Sequence, residues 1–372
     1  MLDVDLERFW EDDALAHLDN CFNPDAPQVA LGITMSEECV FAELGEPGNP
    51  WGPIPRERRI ELNKRYNDKA EKIVGKRLLN EDIPEEDEIF PAYRQIGEVF
   101  GGKYVFDGNV EWLMESCSTP QELEKILDRI DRMDIRSFIL PENWESEKKR
   151  IFEKCGRKPS LYTRVRGPVT LATSIYGIEN LIFLMYDEPE LAKRFFQTIK
   201  NVILEYIKIF IIEAGYTLND FPRGFGFYDD NCYLLTADLY EEFAFPVLKE
   251  VFEFTSPEPT DNRFQHSDSE MRHLLPILAK LNLTGCNFGP TLTVSEIRQT
   301  MPNTRIDGQI APFTFMSNDI EKIMEEARRD CKMAIEGKFK GLNLRTAGSI
   351  NNGSLLTSMR AVMYVIQNEG RY

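Results

Sequence analysis

A chain of 372 residues with 42% hydrophobic and 11% aromatic content has ample material for a packed core, which excludes extended disorder. Its formal net charge of −18 repels a phosphate backbone and an anionic bilayer alike, so neither nucleic acid nor membrane is an expected partner. A barrel core takes roughly 250 residues, so the length fits two domains or, as the favoured expectation, one barrel domain over 1–372 whose residues 45–150 hold a helical insertion or cap.

In chain order, residues 6–18 have helical periodicity and 28–33 read as a first strand. Residues 46–53, dense in Gly, Pro and Asn, form a loop. Residues 56–77 mix basic and acidic side chains at helical spacing, and 80–87 is an acidic stretch around Pro84; the two are read as a cap beside a barrel mouth or as a solvated surface helix. After a short strand at 104–106, Ser118-Thr119-Pro120-Gln121-Glu122 sets a capping residue before a Pro at the first helical position. A helix over 145–155, a strand over 160–165 and helices over 179–186 and 189–214 follow, and from 224 onward strand and helix alternate regularly.

Six apolar, β-prone stretches in the second half stop at clusters of small or polar residues: Arg166-Gly167-Pro168, Asp229-Asp230-Asn231, His266-Ser267-Asp268, Asn287-Phe288-Gly289-Pro290, Asp307-Gly308-Gln309 and Thr346-Ala347-Gly348-Ser349. Strand-then-helix repetition calls for parallel strands with right-handed crossovers, and the expected fold is α/β, a (β/α)8 TIM barrel with an N-terminal helical elaboration. In such a barrel the loops after the strands converge on one face to make the active site. The seven cysteines are scattered, with no Cys-x-x-Cys pair, as befits reduced thiols. The acidic start, Met1-Leu2-Asp3-Val4-Asp5, is unlike a secretory peptide, and the apolar window 203–212 is interrupted by Glu205 and Lys208. The expectation is a cytoplasmic enzyme.

The densest chemistry is in His266-Ser267-Asp268-Ser269-Glu270. In extended backbone, 266 and 268 share a side, so imidazole and carboxylate converge on a metal or on a proton whose position the acid controls. The alternative is that Asp268 or Ser269 caps a helix starting near Glu270, with Glu270 in its first turn. Of Asp229 and Asp230, one is expected in the mouth as acid, base or ligand, whereas a turn stabilised by local hydrogen bonds accounts for Asn231. Arg166 either grips a substrate carboxylate through its planar fork or pairs with an acid of the rim. Phe225, Phe227 and Phe288 line an apolar pocket or face the core, and Cys286 is a thiolate ligand or a small buried hydrophobe. Residues 341–349 followed by Asn351-Asn352-Gly353-Ser354 resemble a phosphate-cradling turn loosely.

Seven of these stretches together resemble the uroporphyrinogen decarboxylase superfamily over residues 150–372: Arg166-Gly167-Pro168-Val169-Thr170-Leu171-Ala172, Asp187-Glu188-Pro189-Glu190-Leu191, Tyr228-Asp229-Asp230, Leu239-Tyr240-Glu241-Glu242-Phe243 with Pro246, His266-Ser267-Asp268, Gly308-Gln309-Ile310 and Thr346-Ala347-Gly348-Ser349. The resemblance implies a (β/α)8 barrel and one of two activities, porphyrin decarboxylation or zinc-dependent methyl exchange with a corrinoid protein. The porphyrin branch has an arginine-rich first strand; here 31–38 has no arginine, and none precedes the loop except Arg8. The methyltransferase branch holds zinc with His-x-Cys and a later Cys, and the matching positions are His266, Asp268 and Ser349. Loss of both thiolates removes the soft ligands that suit a thiol substrate. The resemblance thus implies a corrinoid-dependent O-demethylase, moving methyl from a methyl ether, aromatic ones included, to cobalamin carried by a partner protein. In this reading Asp229, Asp230, His266 and Asp268 are catalytic, His266, Asp268 and Asp230 bind zinc, and Arg166, Phe227, Tyr228, Asn287 and Gln309 hold the small-molecule substrate. A homodimer is compatible with it. The runner-up is a decarboxylase of another carboxylic acid, with Arg166 on the carboxylate and Asp229 or Asp230 managing the proton.

Overall fold

The computed structural model of the chain describes residues 2–107, 110–350 and 352–372. Met1 of the acidic start and Asn351 of the Gly-rich turn lie outside the described residues. Among the described residues nine strands are β1 (Ala30–Leu31), β2 (Lys103–Asp107), β3 (Val110–Met114), β4 (Arg164–Arg166), β5 (Phe225–Tyr228), β6 (Arg263–Ser267), β7 (Gly285–Phe288), β8 (Arg305–Ile310) and β9 (Leu342–Thr346). Seven of them form one sheet in the order β1-β9-β8-β7-β6-β5-β4. The described ladders in it are parallel. The order is sequential with the first strand beside the last, as in a (β/α)8 fold; a doubly wound sheet instead reverses its order at a switch point.

The chain divides into two compact units, one of Met1–Ile83, His266–Leu275 and Asn282–Tyr372, the other of Pro84–Gln265 and Pro276–Leu281. In the first, helix Leu6–Ala16 begins where the Asp5 carboxylate accepts the Arg8 amide at 3.2 Å. The expected first strand shrinks to two residues, Ala30 and Leu31, which pair with Asn343 and Leu344 of β9. Strands β7, β8 and β9 are buried almost throughout, as parallel strands covered by helices must be. Helices Ile320–Glu336 and Leu356–Glu369 pack against each other, and Leu356–Glu369 also packs on Arg56–Val74. The 56–77 segment is therefore partly a packed helix, with Leu62, Tyr66 and Val74 buried, and its charges occupy the remaining faces.

In the second unit the expected strand at 104–106 lies within β2, which pairs antiparallel with β3, a hairpin the sequence reading did not contain. Helix Pro120–Ile130 starts as expected: Thr119 Oγ1 accepts the Glu122 amide at 3.4 Å and Glu122 accepts the Thr119 amide at 3.2 Å. Pro168 opens helix Pro168–Tyr176 directly after β4, and Pro189 opens the long helix Pro189–Glu213. That helix ends on the buried Glu213 carboxylate, which accepts from Trp144 Nε1 at 2.8 Å, Arg136 Nη2 at 2.6 Å and Lys148 Nζ at 2.5 Å. These bonds fasten the helix to Trp144–Cys155. None of the seven cysteines is in a disulfide. Among the described residues no single helix is long and apolar enough to cross a membrane.

Candidate active site

His266 is the penultimate residue of strand β6, and its ring is held on both nitrogens. Asn287, at the matching end of β7, donates its Nδ2 to the carbonyl of Asp307 and, at 3.0 Å, to that of Thr346. Carbonyls only accept, so the amide group must face them and Oδ1 must face His266 Nδ1, 2.7 Å away. The imidazole therefore carries its proton on Nδ1, and Nε2 of the neutral ring presents a lone pair. Nε2 stands 3.2 Å from Asp268 Oδ1. Two acceptor atoms at that distance repel unless a proton or a metal cation lies between them.

The next helical turn begins at Arg272, after Met271, so Glu270 stands ahead of that turn and not in it, and its carboxylate accepts the Arg272 amide at 3.1 Å. The loop after β7 packs closely on this backbone: a Cβ on Gly289 would lie 2.3 Å from the Asp268 carbonyl oxygen. Gly348, at φ +126°, approaches from the loop after β9, and a Cβ there would lie 2.6 Å from Asp268 Oδ1. Loops following β6, β7 and β9 thus meet around one carboxylate that is itself half-exposed.

The two neighbouring acids after β5 differ in role. Asp229 is fully buried, and its carboxylate accepts from Thr170 N at 2.7 Å, Thr170 Oγ1 at 2.8 Å and Val169 N at 3.4 Å, closing the N-terminus of helix Pro168–Tyr176. Gly167 leaves the room, since a Cβ there would fall 2.1 Å from the Asp229 Cβ. Burial raises the Asp229 carboxyl to about 6, against the hydrogen bonds that pull it down. Asn231 takes part in the same support, donating Nδ2 to Thr173 Oγ1 at 2.8 Å. Asp230 is half-buried at the start of a 3-10 turn. His266 Nε2 and Asp268 Oδ1, one nitrogen and one carboxylate oxygen, form a donor pair that suits zinc with positions left open.

Arg166 and Tyr228 are paired in register at the ends of β4 and β5 and line a cavity of about 900 Å³. Among the described residues no carboxylate forms an ion pair with Arg166. Phe227 is fully buried with its ring 5.3 Å from Phe225 and 5.4 Å from Phe252, on the side of the strand opposite Tyr228. It faces the helix layer because side chains alternate along β5, which corrects its reading as a substrate contact. Gln309 is also fully buried; its Nε2 donates to Gly289 O at 3.0 Å and Leu292 O at 2.9 Å, bracing the loop after β7 instead of reaching a mouth. Asn287 contacts the site through His266. Phe288 is in the core, Cys286 is buried with its thiol pushed up by burial, and Ser349 is exposed. Sequence reasoning missed Thr170, which anchors Asp229, and Arg164, two residues before Arg166 and on the same side of β4, a spacing that could have revealed it.

Residues 147–342 match the family model for uroporphyrinogen decarboxylase (URO-D). Among solved structures, the chain is similar to a methyltransferase from Methanosarcina mazei, with a TM-score of 0.55 and 15% identity over 95% of this chain and 97% of that one. Identity so low makes this a likeness of fold. No curated protein matches the sequence.

Proposed function

Because the chain belongs to the uroporphyrinogen decarboxylase family, we propose that it is a methyltransferase that moves the methyl group of a methyl ether to the reduced cobalt of a corrinoid protein. The observation that carries this reading is the donor set: His266 Nε2 facing Asp268 Oδ1 at 3.2 Å. No thiolate belongs to it, so the set favours an oxygen leaving group over a sulfur one. In the reaction the methyl carbon–oxygen bond breaks and a carbon–cobalt bond forms; cobalt(I) supplies the electron pair, and the leaving oxygen keeps the old pair and takes one proton. Without help a phenoxide or alkoxide leaves poorly near neutral pH.

His266 and Asp268 would hold zinc, which when bound supplies Lewis-acid stabilisation of the charge developing on that oxygen. Asn287 keeps Nε2 available by occupying Nδ1, and Asp229 fixes the turn that carries Asp230 to the helix Pro168–Tyr176. The likeness in fold to a methyltransferase supports the reading, and seven cysteines outside any disulfide support a reducing, cytoplasmic setting for a cobalt(I) partner.

The test is to mix the purified protein, a corrinoid protein reduced to cobalt(I) and a methoxylated aromatic, and to follow methylcobalt(III) by absorbance and the phenol by chromatography. One phenol per methylcobalt is expected, with the rate lowered by about 100-fold or more in H266A. The second reading, decarboxylation, is favoured by Arg166, which has no carboxylate partner among the described residues; carbon dioxide release without cobalt methylation would select it.

A further inference from the structure

The cavity of the second unit is built unlike a site for a neutral ether. Its walls are aromatic: Phe90, Tyr93, Trp144, Tyr162, Phe210 and Tyr228 all line it. The rings interlock, with Tyr93 4.5 Å and Tyr162 6.1 Å from Phe210, Tyr162 nearly parallel to it at 22°, and Phe90 5.8 Å from Trp144. β4 contributes Arg164, Val165 and Arg166 to this lining, the two arginines exposed and Val165 between them buried.

The register of β4 against β5 places Arg164 opposite Gly226 and Arg166 opposite Tyr228. Gly226 has no side chain to cover the guanidinium beside it. Among the described residues neither arginine makes an ion pair or a hydrogen bond, although the chain has 62 acidic residues for 44 basic ones. Two guanidinium groups on one side of one strand, at the wall of one cavity, can offer their forks to the same carboxylate.

We propose that this cavity binds an aromatic carboxylate, its ring among the aromatic walls and its carboxylate on the forks of Arg164 and Arg166. A planar guanidinium meets a carboxylate through two parallel hydrogen bonds, and aromatic walls take a flat ring at low cost in order. A volume of about 900 Å³ admits such a molecule with room for substituents. Resting on the methyl-transfer reading, this makes the methyl donor a methoxylated aromatic acid, anchored by the carboxylate at Arg164 and Arg166.

Isothermal titration of the purified full chain with 4-methoxybenzoate, and with neutral 4-methoxybenzamide, tests this without corrinoid protein or turnover. The acid is expected to bind at least tenfold more tightly than the amide, and R164Q and R166Q are each expected to weaken the acid by about tenfold or more while leaving the amide within twofold. Retained amide binding shows that the variants fold. Equal affinity for acid and amide, equal loss of both in the variants, no binding of the acid at millimolar concentration, or preference for a tetrapyrrole polycarboxylate would each overturn it. Binding as expected with no methyl transfer in the assay above would sink the methyltransferase reading and leave this site standing; methyl transfer from neutral ethers with no preference for acids would do the reverse.

Discussion

His266 Nδ1 and Asn287 Oδ1 are 2.7 Å apart, and that one bond decides what His266 can do. Asn287 cannot turn over, because its other end is committed to the carbonyls of Asp307 and Thr346. The ring is thereby fixed in orientation and tautomer, with Nε2 directed at Asp268. Partners of this kind behind a histidine ligand typically govern affinity as strongly as ligand chemistry does.

Asn287→Leu keeps the side-chain volume and removes the bond. Zinc affinity, measured by competition with a chromophoric chelator, is expected to fall about 10- to 100-fold. Two buried carbonyls lose their donor as well, so thermal unfolding is expected at lower temperature. Unchanged zinc affinity would show that the ring is oriented by something else.

Gly348→Ala forces a side chain into backbone at φ +126° and brings its Cβ to 2.6 Å from Asp268 Oδ1. The strain is of order 1–3 kcal/mol, and Asp268 must move. Both a lower denaturant midpoint and weaker zinc binding are expected; a loss of stability with zinc binding intact would place Asp268 outside the donor set.

Asp229 gives a signature in pH. In the folded chain burial raises it to about 6, above the unfolded value near 3.9, so between those values the folded state holds the proton more tightly than the unfolded state. Its contribution to stability therefore falls as pH rises from about 4 to about 6 and is constant above that range. Asp229→Asn removes this titration. The stability difference between the two proteins, from urea unfolding, is expected to change across that window and to be flat above about pH 7.

Phe227→Ala distinguishes core from mouth. A fully buried ring between Phe225 and Phe252 leaves a cavity when truncated, at about 3–5 kcal/mol. Urea unfolding is expected to show that loss, while the affinity for 4-methoxybenzoate stays within a few-fold of wild type. A selective loss of that affinity in a stable variant would return Phe227 to the substrate.

What the sequence made legible was local. The clusters that end β5, β6 and β9 stand out because alternation and turn chemistry act over a few residues, and they place Asp230, His266 and Asp268 at strand ends without any knowledge of packing. Asn287 needed more, since its role depends on Asp307 and Thr346, which are 20 and 59 residues away in sequence. Phe227 and Tyr228 are neighbours that only the direction of β5 separates into core and cavity. Arg164 was passed over because its exposure is set by Gly226 on the adjoining strand. The aromatic cavity joins residues 89–96 to β4, a juxtaposition that no periodicity encodes.

The most direct test of the whole account is the zinc content and affinity of the purified protein beside His266→Ala. About one zinc per chain in the wild type, removable by chelator and absent from the variant, is the expected result. A variant that still holds one zinc per chain, or a wild type that takes up none at micromolar free zinc, would contradict the central claim that the end of β6 forms a metal centre.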